Sequence, residues 1–358
     1  MAIRVAQIGT GNVGRHALKA LITNPEFELT GVWVSSQAKA GKDAAELAGL
    51  PDSTGITATT DLDAVLATGP QCAVYTAMAD NRLPDALDDY RRILAAGINV
   101  VGSSAVFLQY PWQVFPQEML VPIEDAAREG NSSLFVNGID PGFANDLLPL
   151  ALAGTCQSVQ QVRCMEIVDY ATYDSATVMF DVMGFGKPID EIPMLLQPGV
   201  LSLAWGSVVR QLAAGLGIEL DEVTERYVRE PAPEDFDIAS GHIPKGSAAA
   251  LRFEVLGMLD GQPAVVLEHV TRLREDLRQD WPQPAQPGGS YRIEITGEPS
   301  YAVDICLSSP HGDHNHAGLV ATAMRVVNAI PAVVAAPPGI RTTLDLPLVT
   351  GRGLYSLG

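Results

Sequence analysis

Between a short β-rich run at residues 3–8 and a stretch of helical spacing at 13–23, the chain reads Gly9-Thr10-Gly11-Asn12-Val13-Gly14. A G-x-G-x-x-G in that position closes a strand and opens a helix, so the chain must turn tightly within a βα unit. Each glycine has its own task. Gly9 allows the turn, Gly11 lets the backbone approach a pyrophosphate, and Gly14 lets helix and strand pack closely. The helix N-terminus then offers unsatisfied N–H groups and a partial positive charge to the anion. A purely structural turn is the plainer alternative. The strand before it and the βαβ unit after it favour dinucleotide binding, with Thr10, Asn12 and Val13 lining the turn beside the glycines.

The alternation continues. Further β-rich runs stand at 28–34, 56–59, 71–75, 98–102 and 133–136, and helical spacing at 61–67, 83–96 and 122–129, with Pro122 in the first turn of the last. This predicts an α/β fold, a Rossmann-type doubly wound parallel sheet. After Gly142 the pattern changes to longer strands at 161–168, 249–256, 264–271, 291–296 and 301–307, with a helical block at 200–216 and a polar, acidic loop at 230–240. A second α+β domain on a mixed or antiparallel sheet is expected, one face of it available to a second subunit. The domains are then 1–142 for the dinucleotide, 143–312 for substrate and dimerisation, and 313–358, a helix and Pro-rich tail packing back on the first.

Acidic residues outnumber basic ones 42 to 23, for a net charge of −19. Such a surface repels phosphate backbones and anionic headgroups, so neither nucleic acid nor a membrane surface is an expected partner. Residues 326–340 are apolar but short for a membrane span and carry three prolines. Four dispersed cysteines without a C-x-x-C pair speak against structural zinc or a disulfide framework, and for a reducing cytoplasm. No basic, then apolar, signal sequence opens the chain. His311-Gly312-Asp313-His314-Asn315-His316 is rich in potential ligands, but reads as one loop capped into a helix by Asp313 or Asn315 rather than as a metal site.

The end of the second strand reports the cofactor type. It reads Val34-Ser35-Ser36-Gln37-Ala38-Lys39, with Lys42 nearby and no carboxylate to repel a 2′-phosphate. Ser35, Ser36 and Lys39 therefore predict NADP(H) in preference to NAD(H). The alternative is that the two lysines are solvated helix-start residues.

Three further stretches, Asn137-Gly138-Ile139-Asp140-Pro141-Gly142-Phe143, Leu267-Glu268-His269-Val270-Thr271-Arg272 and residues 321–331, complete a pattern with the glycine turn. Together they resemble the dihydrodipicolinate-reductase-like group that contains 2,4-diaminopentanoate dehydrogenase and the native amine dehydrogenases. The resemblance covers nearly the whole chain. It implies a homodimer in which a nicotinamide delivers hydride in a cleft between the two domains. It also implies that Pro141 lies beside the nicotinamide and Asn137 by its ring or ribose, that Thr76, Ala77 and Met78 form a loop under the riboses, and that Ser103 and Ser104 follow the next strand similarly. Asn328 would reach the carboxamide, while Tyr170 and Tyr173 match positions facing the substrate. For Ser103, Ser104 and Asn328, capping is the alternative.

The chain departs from the pattern at one place. The amine dehydrogenases carry a glutamate a few residues before a Tyr-Pro pair, whereas residues 103–111 end in Tyr110-Pro111 and hold no acid. An iminium intermediate would lack that negative charge. The expected activity is reduction of a C=O or C=N group of a mostly apolar small molecule, with Tyr173, His269 or Tyr170 as proton donor. Asp140 and Asp169 are candidates to replace the missing carboxylate, although Asp140 also suits a turn cap. Met179 to Phe185, with Gly184 and Gly186, suggests a loop lining an apolar pocket. The alternatives are an amine dehydrogenase using another carboxylate and a non-enzymatic NADP(H) sensor.

Overall fold

The structure is a computed structural model and describes residues 2–355. The chain forms two compact units, Met1–Ile139 with Leu319–Gly358, and Asp140–Gly318.

The first unit carries strands β1 (Ile3–Ile8), β2 (Phe27–Trp33), β3 (Cys72–Tyr75), β4 (Asn99–Gly102) and β5 (Ser133–Val136), and later the strand Gly339–Arg341. They form one sheet in the order Gly339–Arg341, β5, β4, β3, β1, β2, with every pair parallel. All four side chains of β3 are buried, as expected of a strand covered on both faces. Helix Leu83–Ala95 shows why it packs there: Ala86, Leu87, Tyr90, Ile93 and Leu94 recur at helical spacing and are buried. Ala323, Val326 and Val327 of the returning helix His314–Val327 join Val5, Ala17, Leu21 and Phe135 in the core of this unit. The doubly wound, Rossmann-type sheet predicted from the alternation is thus present, with neighbours on opposite sides of β1 creating the crevice where such sheets bind ligands.

The second unit holds β6 (Ser158–Asp169), β7 (Glu222–Pro231), β8 (Phe236–Ile238), β9 (Gly241–Ile243), β10 (Ala248–Leu259), β11 (Gln262–Arg272), β12 (Gly289–Glu298) and β13 (Tyr301–Ile305). Six of them form a mixed sheet in the order β13, β12, β6, β11, β10, β7, in which β6 and β11 run parallel and the other pairs antiparallel. Val208, Val209 and Leu212 of helix Gly206–Leu216 share one core with Leu251, Phe253, Val255, Leu267 and Ile293. The registers place those sheet residues on one face. The other face carries Glu254 and Glu268, both buried, in an ion network with Arg163, Arg226 and Arg252.

Several local readings differ. Residues 56–59 form only isolated bridges to Trp33 and Asp43, because the Asp43 carboxylate gathers the Ala45, Thr54 and Gly55 amides and pins this segment as a loop. Pro122 lies inside helix Gln117–Glu129, not in its first turn, since Pro116 already starts that helix. The stretch 230–240, expected as an acidic loop, holds the end of edge strand β7 and strand β8, which pairs with β9. One side of an edge strand faces water, which hides its alternation. Met179 to Phe185 is no pocket loop: Thr177–Val182 is a helical turn, and Met179 and Phe185 are buried core residues. The 21 residues His314–Val334, with mean hydropathy 1.6, are long and apolar enough to cross a membrane by length and composition. Here the helix ends at Val327, and Ile330 and Val333 of the next helix lie in the first unit's core.

Candidate active site

In the first unit, the carboxyl ends of the parallel strands gather most of the residues singled out for a dinucleotide. Gly9 has φ +90°, and a Cβ there would sit 2.6 Å from the Ala77 nitrogen. A Cβ on Gly14 would come within 2.3 Å of the Gly9 carbonyl oxygen, whereas one on Gly11 would meet nothing within 4 Å. The turn is therefore closed on its inner side and open on its outer side. Gly11 is the N-cap of helix Asn12–Thr23, no side chain caps it, and the first turn holds no acid. Asn12 and Val13 lie in that first turn, where backbone amides have no acceptor within the helix. These features fit a pyrophosphate.

Two residues brace the turn from behind. Gln7 Nε2 donates to the Gly9 carbonyl at 2.7 Å and to Thr76 Oγ1 at 2.8 Å, and Thr76 Oγ1 donates to the Gly9 carbonyl at 3.0 Å. Ala77 is buried against the turn and Met78 is exposed. Gln7 was missed in the sequence, although a glutamine inside an otherwise apolar strand was the signal. Lys39 Nζ donates to the Thr10 carbonyl at 2.7 Å and to Thr10 Oγ1 at 3.3 Å, which brings its charge onto the turn. Ser35 and Ser36 are exposed just after β2. Lys42 instead pairs with Glu46 at 2.6 Å. Ser103 and Ser104 follow β4, with the Ser103 amide donating to Tyr75 O and Ser104 O accepting from the Tyr90 hydroxyl. Asn137, after β5, accepts from Arg325 Nε at 2.8 Å. Asn328 is not brought to this end. It borders a cavity with Asn24, Glu26 and Phe27, where β2 begins and thus roughly one strand length, about 20 Å, from the glycine turn.

In the second unit the sheet register builds a different feature. Phe253, His269, Glu166 and Tyr291 stand directly opposite one another on β10, β11, β6 and β12, a single row across four strands. His269 lies between two carboxylates: Nδ1 is 3.0 Å from Glu166 Oε2, and Nε2 is 3.1 Å from Asp140 Oδ1. Phe253 stacks on the imidazole at 4.7 Å and Trp205 meets it edge-on at 4.7 Å. Trp205 Nε1 also donates to Asp140 Oδ1 at 3.0 Å. Tyr170 donates to Glu166 Oε2 at 3.4 Å and stacks on Tyr173, ring centroids 5.1 Å apart.

Burial alone would push the His269 pKa down. Asp140 and Glu166 outweigh it and raise the group to about 10, so at neutral pH the ring is an imidazolium. Burial, then the Glu166 charge, pushes the Tyr170 phenol well above its ordinary range and keeps it protonated. Tyr291 is raised for the same reasons. One histidine and two carboxylates are also a possible ligand set. Both ring nitrogens here face carboxylate oxygens at hydrogen-bond distance, the arrangement of a proton-bearing ring. The structure thus brings together Tyr170, Tyr173, His269 and Asp140. It adds Trp205, together with Glu166, Phe253 and Tyr291, the last three of which sequence reasoning missed. Pro141 directly follows Asp140. Asp169 lies on the opposite sheet face from His269, three residues along β6 from Glu166, and does not join the cluster.

The histidine-rich run begins helix His314–Val327. Asp313 Oδ1 accepts from the His316 amide at 3.0 Å, and Asn315 Nδ2 donates to Asp169 O at 2.8 Å and to Thr172 Oγ1 at 2.7 Å. Trp112 Nε1 donates to Glu124 Oε1 at 3.1 Å in the first unit.

Residues 143–353 match the model of the 2,4-diaminopentanoate dehydrogenase C-terminal domain. Over 343 residues, 95% of each chain, the sequence is 41% identical to an amine dehydrogenase of Streptomyces virginiae. It is 27% identical over 270 residues to the 2,4-diaminopentanoate dehydrogenase of Acetoanaerobium sticklandii, covering 74% of this chain and 70% of that one. In fold it is similar to the amine dehydrogenase structure from Mycobacterium smegmatis, with a TM-score of 0.80 at 22% identity over 99% of both chains. With the glycine turn and the mixed sheet already in place, these likenesses make the chain a member of the amine dehydrogenase and 2,4-diaminopentanoate dehydrogenase family of oxidoreductases.

Proposed function

We propose that this protein is an NADP(H)-dependent oxidoreductase that reduces a C=O or C=N group of a mostly apolar small molecule. The observation that carries the proposal is the buried His269 ring held between Asp140 and Glu166 at 3.1 and 3.0 Å. A nicotinamide dinucleotide with its pyrophosphate seated at the glycine turn would supply the hydride. Gly9, Gly11 and Gly14 shape the turn, the amides of Asn12 and Val13 face the pyrophosphate, and Thr10 is held by Lys39. Lys39, with Ser35 and Ser36, favours the 2′-phosphate over a bare ribose hydroxyl.

Reduction places negative charge on the substrate heteroatom, and that atom must receive a proton or a strong hydrogen bond. His269 holds one proton toward Asp140 and one toward Glu166, and Tyr170 holds one toward Glu166, so the two carboxylates stand between these protons and the substrate atom and would relay one to it. Asp140 and Glu166 keep the imidazole charged between turnovers. Phe253 and Trp205 exclude water from it, which strengthens each electrostatic contact. We further propose that the chain acts as a homodimer in a reducing cytoplasm, with neither nucleic acid nor membrane among its partners.

A second reading is reductive amination. Asp140 and Glu166 provide negative charge that residues 103–111 lack, and the 41% identical relative is named an amine dehydrogenase. NADPH oxidation with ketones, aldehydes and cyclic imines, each with and without ammonia, separates the readings. Turnover without ammonia supports the first, and turnover only with ammonia supports the second. Loss of turnover in His269→Gln with unchanged NADPH affinity is expected in either. Full turnover in that variant would remove His269 from the chemistry.

A further inference from the structure

Arg272 of β11 stands directly opposite Asp169 of β6. Opposite charges facing each other across neighbouring strands attract and commonly pair. These two do not. Arg272 is only 3% exposed, yet among the described residues no carboxylate lies within ion-pair distance of its guanidinium. Its Nε and Nη2 donate instead to the carbonyls of Leu277, Arg278 and Pro282 at 2.8, 3.0 and 2.9 Å. The ring of Trp281 lies 5.9 Å from its Cζ. Those contacts fix the guanidinium and leave Nη1 without a hydrogen bond among the described residues. Asp169 is similarly half-used: Oδ1 accepts from the Ala171 amide at 2.8 Å. Burial pushes the Asp169 pKa up and the Arg272 pKa down, as it does for charges short of compensation.

Both side chains border one cavity of about 410 Å³, together with Glu275, Gln279, Gln283 and Pro284. That volume lies within the range of small-molecule sites. A fixed buried cation on one wall and a desolvated carboxylate on another complement a ligand that carries both charges in reverse. A phosphate would meet Asp169 and Glu275, and a simple amine would leave Arg272 uncompensated. Pro284 offers the remaining wall to an aliphatic group.

We propose that this cavity binds a small zwitterion of the α-amino-acid type, its carboxylate on Arg272 and its ammonium on Asp169. The site stands on the sheet face opposite His269 and is independent of the reaction assigned above. Because Arg272 also holds the backbone at 277–282, an occupant ties that loop to the ends of β6 and β11.

The test is a titration of the full-length protein, without cofactor, by calorimetry and by the emission of Trp281, identified with Trp281→Phe. The probes are L-leucine, 4-methylpentanoate, which lacks the ammonium, and 3-methylbutylamine, which lacks the carboxylate. Saturable binding of leucine is expected, at least ~10-fold tighter than either analogue, as the loss of one charge-assisted contact requires. Asp169→Asn weakens leucine by a similar factor while retaining the far-UV circular dichroism of the parent. His269→Gln binds leucine as the parent does, which separates the two sites. The proposal is overturned if leucine, alanine and glutamine all fail to saturate with Kd below about 10 mM. It is equally overturned if the analogues match leucine, if Asp169→Asn binds unchanged, or if His269→Gln abolishes binding.

Discussion

Replacing His269 by glutamine removes a cation from between two carboxylates in a site closed by Phe253 and Trp205. The rise of its pKa from 6.5 to about 10 corresponds to roughly 5 kcal/mol of preference for the charged ring, at about 1.4 kcal/mol per pH unit. Breaking a buried pair by deleting one partner costs about 3–5 kcal/mol, because the other charge stays buried. The two figures agree, and both lie at or below the lower end of the about 5–15 kcal/mol of an ordinary domain, so a domain of average stability carrying the variant should still fold. The pH dependence has a definite sign. The folded-state pKa lies above the unfolded one, so the stabilisation is complete below about pH 6.5 and disappears as pH rises through about 10. Urea unfolding followed by tryptophan emission, with Trp205 against the imidazole, should show His269→Gln less stable than the parent by about 3–5 kcal/mol near pH 7, and the gap should narrow by about pH 10.5. Adding Glu166→Gln to the variant should restore part of the loss, since one unpaired carboxylate is then gone. A gap under about 1 kcal/mol near pH 7, or one that stays constant to about pH 10.5, would refute an imidazolium held by Asp140 and Glu166.

The glycine turn permits a contrast between neighbours. Gly11→Ala should leave the melting temperature unchanged while weakening NADPH in a fluorescence titration, because its Cβ enters open space over the turn. Gly14→Ala should destabilise the first unit, as its Cβ would come within 2.3 Å of the Gly9 carbonyl oxygen. Lys39→Ala should lower the NADPH-over-NADH affinity ratio by about 10-fold, the worth of one charge-assisted contact of ~1.4 kcal/mol, and an unchanged ratio would remove Lys39 from phosphate recognition. Trp205→Phe keeps an aromatic edge on His269 but deletes the hydrogen bond to Asp140. A loss of about 0.5–1.5 kcal/mol in urea unfolding is expected, and no loss would show that Asp140 is held without it.

What could be read in the sequence divides along a physical line. The glycine turn was legible because each of its tasks is a backbone task that residue type alone encodes, and Gly9, Gly11 and Gly14 show three different surroundings to match. The buried strand β3 and the helix Leu83–Ala95 were legible through local periodicity, which β7 lacks at its exposed edge. The Phe253–His269–Glu166–Tyr291 row was not, because it depends on the register of four strands, and register is a non-local property. A partial signal was nevertheless present. The residues of β6 that share a face with Glu166 are Val162, Cys164 and Val168, and those of β11 that share a face with His269 are Val265, Leu267 and Thr271. An acid and a histidine, each at the inward position of a long apolar strand, cannot both be buried unless they find partners. Two strands with that same anomaly already imply that they are neighbours and that the charges meet. Asp169 shows the converse. It sits on the outward register of the same strand, so no argument from proximity in sequence to Tyr170 could bring it to His269, and its opposite number is Arg272 instead.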